Sequence, residues 1–101
     1  MEELLEEVRS ALRVKTTLTD AEVRTFIATA IEDMRRVGIR DELLDTKTMS
    51  SLAKSAVIMY CKAHYGFDNS QAGQFHSWYL ETVTCLKNST ANEVLYEAMS
   101  E

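Results

Sequence analysis

The chain has 101 residues, 46% hydrophobic and 27% charged, with a net charge of −5. A chain of this size is one domain that buries about two-thirds of its unfolded surface, and its composition excludes disorder over most of its length. The acidic balance argues against a nucleic-acid grip, which needs clustered cations. No apolar run approaches the roughly 18–20 residues of a membrane span, so no membrane partner is expected.

The sequence holds no proline and only three glycines, Gly38, Gly66 and Gly73. Hairpin turns depend on such residues, so the expected fold class is all-α, a compact bundle of four main helices. The first helix is predicted over residues 2–13, with Leu4, Leu5, Val8, Ala11 and Leu12 as one buried stripe. Acidic residues crowd its start, and Arg9 and Arg13 sit towards its end, as the helix dipole favours.

The second helix has a Thr-x-x-Glu start, Thr19 with Glu22, which predicts a capping box with Leu18 stapled onto Val23. Its stripe is Val23, Phe26, Ile27, Ala30, Ile31 and Met34. Gly38 is the expected left-handed stop, with Ile39 folding back on Met34. A connector follows, with one short helical turn expected near Asp41 and Leu44.

The third helix begins between residues 46 and 50 and runs to Tyr65. It carries Met49, Leu52, Ala53, Ala56, Val57, Tyr60, Ala63 and His64 on one face, with Ile58, Met59 and Cys61 on the other. A helix apolar on most faces must be covered by other helices or other subunits. Gly66 is expected to end it, with Phe67 packing back over the last turn.

Asp68, Asn69 or Ser70 then caps a fourth helix reaching about Lys87, with Phe75, Trp78, Tyr79, Val83 and Leu86 facing inward. A break is expected at residues 88–91. A second capping box, Thr90 with Glu93, opens a short tail carrying Leu95, Tyr96 and Met99. The expected division is a helical domain over residues 1–88 and a tail or short helix over 89–101.

Catalytic readings are weak. Cys61 or Cys85 with His64 or His76 has the elements of a nucleophile and base. However, no orienting acid and no glycine-rich oxyanion loop accompany them. The same four residues have the ligand count for zinc, but their spacing matches no compact finger. The three glycines are isolated, so no phosphate-cradling loop is present. A helix-turn-helix reader would need Arg, Lys, Asn or Gln on its second helix, where this chain has Ala, Val, Ile and Met. No catalytic residue, cofactor or metal is therefore expected, and the cysteines are read as free thiols of a reducing compartment.

The remaining feature is the apolar surplus, for which subunit contact is the natural outlet. The candidate core or interface residues are Phe26, Ile31, Tyr60, His64, Phe67, Phe75, Trp78 and Tyr79. Leu95, Tyr96 and Met99 are candidate tail contacts.

The order of parts resembles a known family. The Leu-Leu-Glu-Glu-Val-Arg-Ser-Ala-Leu-Arg-Val helix (residues 4–14) is followed by a loop before Thr19-Asp20-Ala21-Glu22. Then come Ile27-Ala28-Thr29-Ala30-Ile31-Glu32-Asp33 and Ala56-Val57-Ile58-Met59-Tyr60-Cys61-Lys62-Ala63-His64-Tyr65-Gly66. Asn69 and the helix of Phe75, Tyr79 and Leu86 complete the set. In these respects, over residues 2–88, the chain resembles the small helical head–tail connector, or head-completion, proteins of long-tailed phages and prophages.

The resemblance implies a homo-oligomeric ring of about twelve copies in the virion, closed by one repeated heterologous interface, and leaves open whether the isolated chain is a monomer that assembles only on its template. It also implies docking beneath the portal protein, a further face for the next connector or tail component, and non-specific passage of double-stranded DNA through the lumen. Such a protein is made in the bacterial host cytoplasm and ends at the head–tail junction of the virion. The alternative reading is a small helical interaction or regulatory module, including one that binds DNA.

Overall fold

In a computed structural model that describes residues 1–14, 16–65 and 70–100, with side chains as far as residue 88, the chain is all-α. The helices are α1 (Glu2–Leu12), α2 (Asp20–Arg36), α3 (Ser51–His64) and α4 (Ala72–Ser100), with a 3₁₀ turn over Asp41–Leu43. α3 is central and packs on α4, α2 and α1. Ala53, Ala56, Val57 and Cys61 of α3 are fully buried. Three of the four are small at the contact face, which lets the neighbouring helices approach closely. Leu52, Ile58, Met59 and Tyr60 are partly buried against the same core, so the all-round apolar character of α3 is matched by cover on most of its faces.

The helix ends follow local chemistry where that chemistry is strong. Gly38 adopts φ +105°. Ile39 N–H donates to the Met34 carbonyl at 3.0 Å and Gly38 N–H to that of Arg35 at 3.1 Å, a Schellman stop. Ile39 is buried, as its expected fold-back requires. The same pair of bonds closes α1, from Val14 to Arg9 and from Arg13 to Ser10. There the left-handed position is held by Arg13 at φ 59°. A non-glycine residue costs about 1–2 kcal/mol in that conformation. Replacement by glycine relieves this strain but adds unfolded-chain freedom. Arg13→Gly is expected to raise unfolding free energy by about 0.5–1 kcal/mol in urea titrations; a lower value would show that the arginine side chain stabilises the turn. At the start of α3, Ser50 Oγ accepts the Ala53 N–H at 3.2 Å, an N-cap within the expected window.

Three local expectations are corrected. Thr19 is the N-cap residue of α2, but its side chain makes no capping bond. Its φ and ψ of −105° and 12° turn the hydroxyl away from the first-turn amides, and Oγ1 lies 3.3 Å from the Tyr65 hydroxyl instead. Leu18 does not staple onto Val23: it is 90% exposed while Val23 is fully buried.

The third correction is the break at residues 88–91. α4 runs unbroken through it, so the second capping box falls inside the helix. The segment holds no glycine or proline, and Asn, Ser and Thr each cost only tenths of a kcal/mol in a helix. Upstream, the Thr82 and Thr84 hydroxyls donate back to the Trp78 and Leu80 carbonyls at 2.8 and 2.9 Å, turning polar side chains to the use of their own helix. The expected Gly66 stop, the Phe67 contact and the Asp68 and Asn69 caps lie outside the described residues.

Candidate assembly surface

α4 is joined to α2 by a polar latch. Tyr79, fully buried on α4, donates its hydroxyl to Asp33 Oδ2 at 2.7 Å. Arg36 donates to Asp33 Oδ1, also at 2.7 Å. The Tyr79 hydrogen bond and then that of Arg36 hold the Asp33 carboxyl below its ordinary value. An aromatic cluster surrounds the latch. The Tyr60 ring meets Tyr79 edge-on at 5.2 Å, His64 lies 4.3 Å from Tyr60, and His76 stacks on Tyr79 at 6.2 Å. Beside it is an open groove of about 540 Å³, lined by Thr29, Glu32, Asp33, Arg36, Tyr60, His64 and His76.

This groove lies at a joint between helices, and both its carboxylates are engaged: Asp33 by two donors and Glu32 by Arg35 at 2.9 Å. Cys61 is buried away from solvent, which pushes its thiol up to about 12 and leaves it un-ionised at neutral pH. Among the described residues, no group of three or more His, Cys, Asp or Glu side chains is placed to hold a metal ion. Cys85 is exposed and unpaired by any disulfide.

The neutral forms of the buried groups fix the alkaline behaviour of the fold. Burial raises the Cys61 thiol and the Tyr60 and Tyr79 phenols, with the Asp33 hydrogen bond adding to Tyr79. In the unfolded chain these groups ionise near their ordinary values of 9.0 for Cys and 10.0 for Tyr. Above those values the native state retains protons that the unfolded state has lost, so stability falls with pH. Urea titrations are expected to give an undiminished unfolding free energy up to about pH 9 and a decline beyond it. A rise between pH 9 and pH 11 would contradict the buried, neutral assignment.

On its far side α4 presents apolar surface to solvent. Trp78 is 40% exposed and Leu80 50% exposed, which corrects the inward reading of Trp78. The helix buries Tyr79, Val83 and Leu86 instead. A 100° step per residue leaves Trp78 at the edge of that face, roughly a quarter-turn from Tyr79. Phe75 is half-buried, edge-on to Trp78 at 5.7 Å, with the Lys62 ammonium 5.3 Å from its ring centre. Leu80, Glu81, Thr84 and Cys85 line a shallow groove of about 460 Å³ next to this edge.

The remaining candidates divide between core margin and surface. Phe26, Ile31 and Tyr60 are partly buried against the core. His64 is exposed, although its ring packs on Tyr60 and stands 6.2 Å from Phe26. Phe67 lies outside the described residues, and the side chains of Leu95, Tyr96 and Met99 lie beyond those described. Asp33 and Leu80 carry no sequence signal for these positions, since neither lies on the apolar stripe of its helix.

A family model described as phage connector protein matches residues 4–93. The chain belongs to the phage connector protein family. No similar protein was found among curated proteins or among solved structures. Membership in a phage head–tail connector family gives the chain a structural role in the connector, in contact with other virion components. The latch holds α4 to α2 within the chain, while Trp78 and Leu80 are exposed on separate sides of α4. No helix among the described residues is long and apolar enough to cross a membrane.

Proposed function

We propose that the chain is the repeating subunit of a ring of about twelve copies that closes through one heterologous interface. The ring docks beneath the portal and receives the next connector or tail component on its other face. The protein is made in the host cytoplasm and takes its place at the head–tail junction of the virion. The observation that carries this reading is the family match over residues 4–93. Trp78 supports it, an aromatic side chain 40% exposed beside a fully buried core and edge-on to the half-buried Phe75.

Net charge supports the passage of DNA through the lumen. At −5 the subunit repels phosphate, so double-stranded DNA slides past without being held. The C-terminal part, residues 89–101, acts as an arm on a neighbouring subunit. The last core residue of α4 among the described side chains is Leu86. Removal of residues 90–101 is therefore expected to leave the monomer melting temperature within a few degrees of native while weakening oligomers. A large drop in monomer melting would instead make the arm part of the core.

The test is assembly. Sedimentation velocity and electron microscopy, with the chain alone and with portal added, are expected to reveal concentration-dependent or template-dependent rings. Tight, salt-sensitive DNA binding by a monomer or dimer would overturn the ring and favour a DNA-binding module.

A further inference from the structure

Among the described side chains, every ion pair that joins one α-helix to another has a partner on α1. Arg24 of α2 stands 3.1 Å from both carboxylate oxygens of Glu2, and Lys54 of α3 stands 3.1 Å from Glu7. Arg9 stands 3.3 Å from both oxygens of Asp20, at the start of α2. The other pairs are local in sequence: Arg35 with Glu32 and Asp41, Arg36 with Asp33, and Arg40 with Glu42.

The remaining helices are joined differently. α3 meets its neighbours through the buried Ala53, Ala56, Val57 and Cys61. α4 is held by Tyr79, Val83 and Leu86, with the Tyr79 hydroxyl donating to Asp33. Salt screens exposed ion pairs and leaves such packing in place. α1 has apolar anchors of its own in Leu4, Leu5 and Val8, but beyond them Ala11 and Leu12 are only half-buried.

Two features near the C-terminal end of α1 oppose its docking. Arg9 Nε is buried with no hydrogen-bond partner among the described residues, a cost that water removes when the helix opens. Arg13 holds a left-handed φ of 59°, a conformation unfavourable to any residue with a Cβ. Strain at a junction between two helices marks a place where the chain turns.

We infer that α1 is a releasable strap: it undocks from α2 and α3 as a unit, turning about Arg13, and ionic strength sets how often it opens. Release uncovers the apolar side of α2 and α3 that Leu4, Leu5 and Val8 fill. α2, α3 and α4 stay packed on one another, as in the subglobal openings of other small domains. The ring plays no part in this motion, so the strap stands or fails whether or not copies assemble.

Hydrogen exchange on the native chain tests it. Amides of residues 6–12 are expected to exchange through an opening with a weaker urea dependence than those of residues 55–63 in α3. Raising salt from about 0.05 M to about 1 M should speed α1 exchange roughly fivefold and leave α3 unchanged. Arg24→Gln combined with Lys54→Gln breaks two of the pairs from the far side, with the sequence of α1 untouched. Their side chains are 44% and 34% exposed, so the variant should fold as the native chain does. In it α1 should exchange roughly threefold faster at low salt, respond less to added salt, and leave α3 as it was. Exchange of α1 in step with α3, in both chains and at both salts, would mean that α1 opens only with the whole fold and would overturn the strap. Equal acceleration of both helices in the variant would overturn it as well.

Discussion

Truncation of Tyr79 to alanine is expected to lower the unfolding free energy by about 3–5 kcal/mol, the range for deleting a large aromatic from a close-packed core. Tyr79 is fully buried and is the largest such side chain. It fills the seam between α4 and α3 against Tyr60 and reaches Asp33 of α2 through its hydroxyl. Tyr79→Phe separates the two contributions. The ring and its packing remain, while the bond to Asp33 is lost. Asp33 keeps Arg36, and its side chain is 28% exposed, so water replaces part of what is removed. A loss of about 1 kcal/mol is expected, below the usual figure for a bond to a charged group.

The same substitution should move the titration of Asp33. Its carboxyl is lowered first by Tyr79 and then by Arg36, so its pKa should rise towards the ordinary carboxylate value in Tyr79→Phe. A depressed native pKa gives stability that is present above the unfolded value and lost as pH falls through the native one. Acid unfolding of Tyr79→Phe should therefore show a smaller contribution from this residue. Chemical denaturation of both variants, with carboxyl titration by NMR, checks the assignment. Equal losses for alanine and phenylalanine would show that the packing of the ring contributes little.

The second large effect concerns assembly. Trp78→Ala is expected to leave the monomer nearly as stable as before, within about 1 kcal/mol, because much of the ring is already in water. In the proposed ring, association between copies should weaken by about 2 kcal/mol, roughly thirtyfold, the loss expected where a tryptophan anchors an interface. Sedimentation equilibrium on native and variant chains measures it. Unchanged association with a strongly destabilised monomer would return Trp78 to the core.

The sequence was most legible where one strong local signal acted alone. The Gly38 stop could be read because few residues other than glycine enter that conformation readily, and the Met34–Ile39 bond follows from it. α3 could be recognised as central because its apolar residues occupy more than one face. Signals failed where tertiary contacts competed with them. Thr19 has the right spacing for a capping box, yet its hydroxyl pairs with Tyr65, forty-six positions away. Trp78 has the hydrophobicity of a core residue, but the face of α4 is set by Tyr79, Val83 and Leu86. The latch was invisible because Asp33 resembles any solvent-facing acid until α4 is laid beside α2. The polar run near Asn88 resembled a break because no local pattern records how little such residues cost inside an established helix.

α4 has a mechanical consequence. Its last core side chain among those described is Leu86, and its backbone remains helical to Ser100. At 1.5 Å per residue the intervening segment spans about 21 Å. In the proposed ring, that length is the distance over which a single unbroken helix reaches from the core of one copy towards the next.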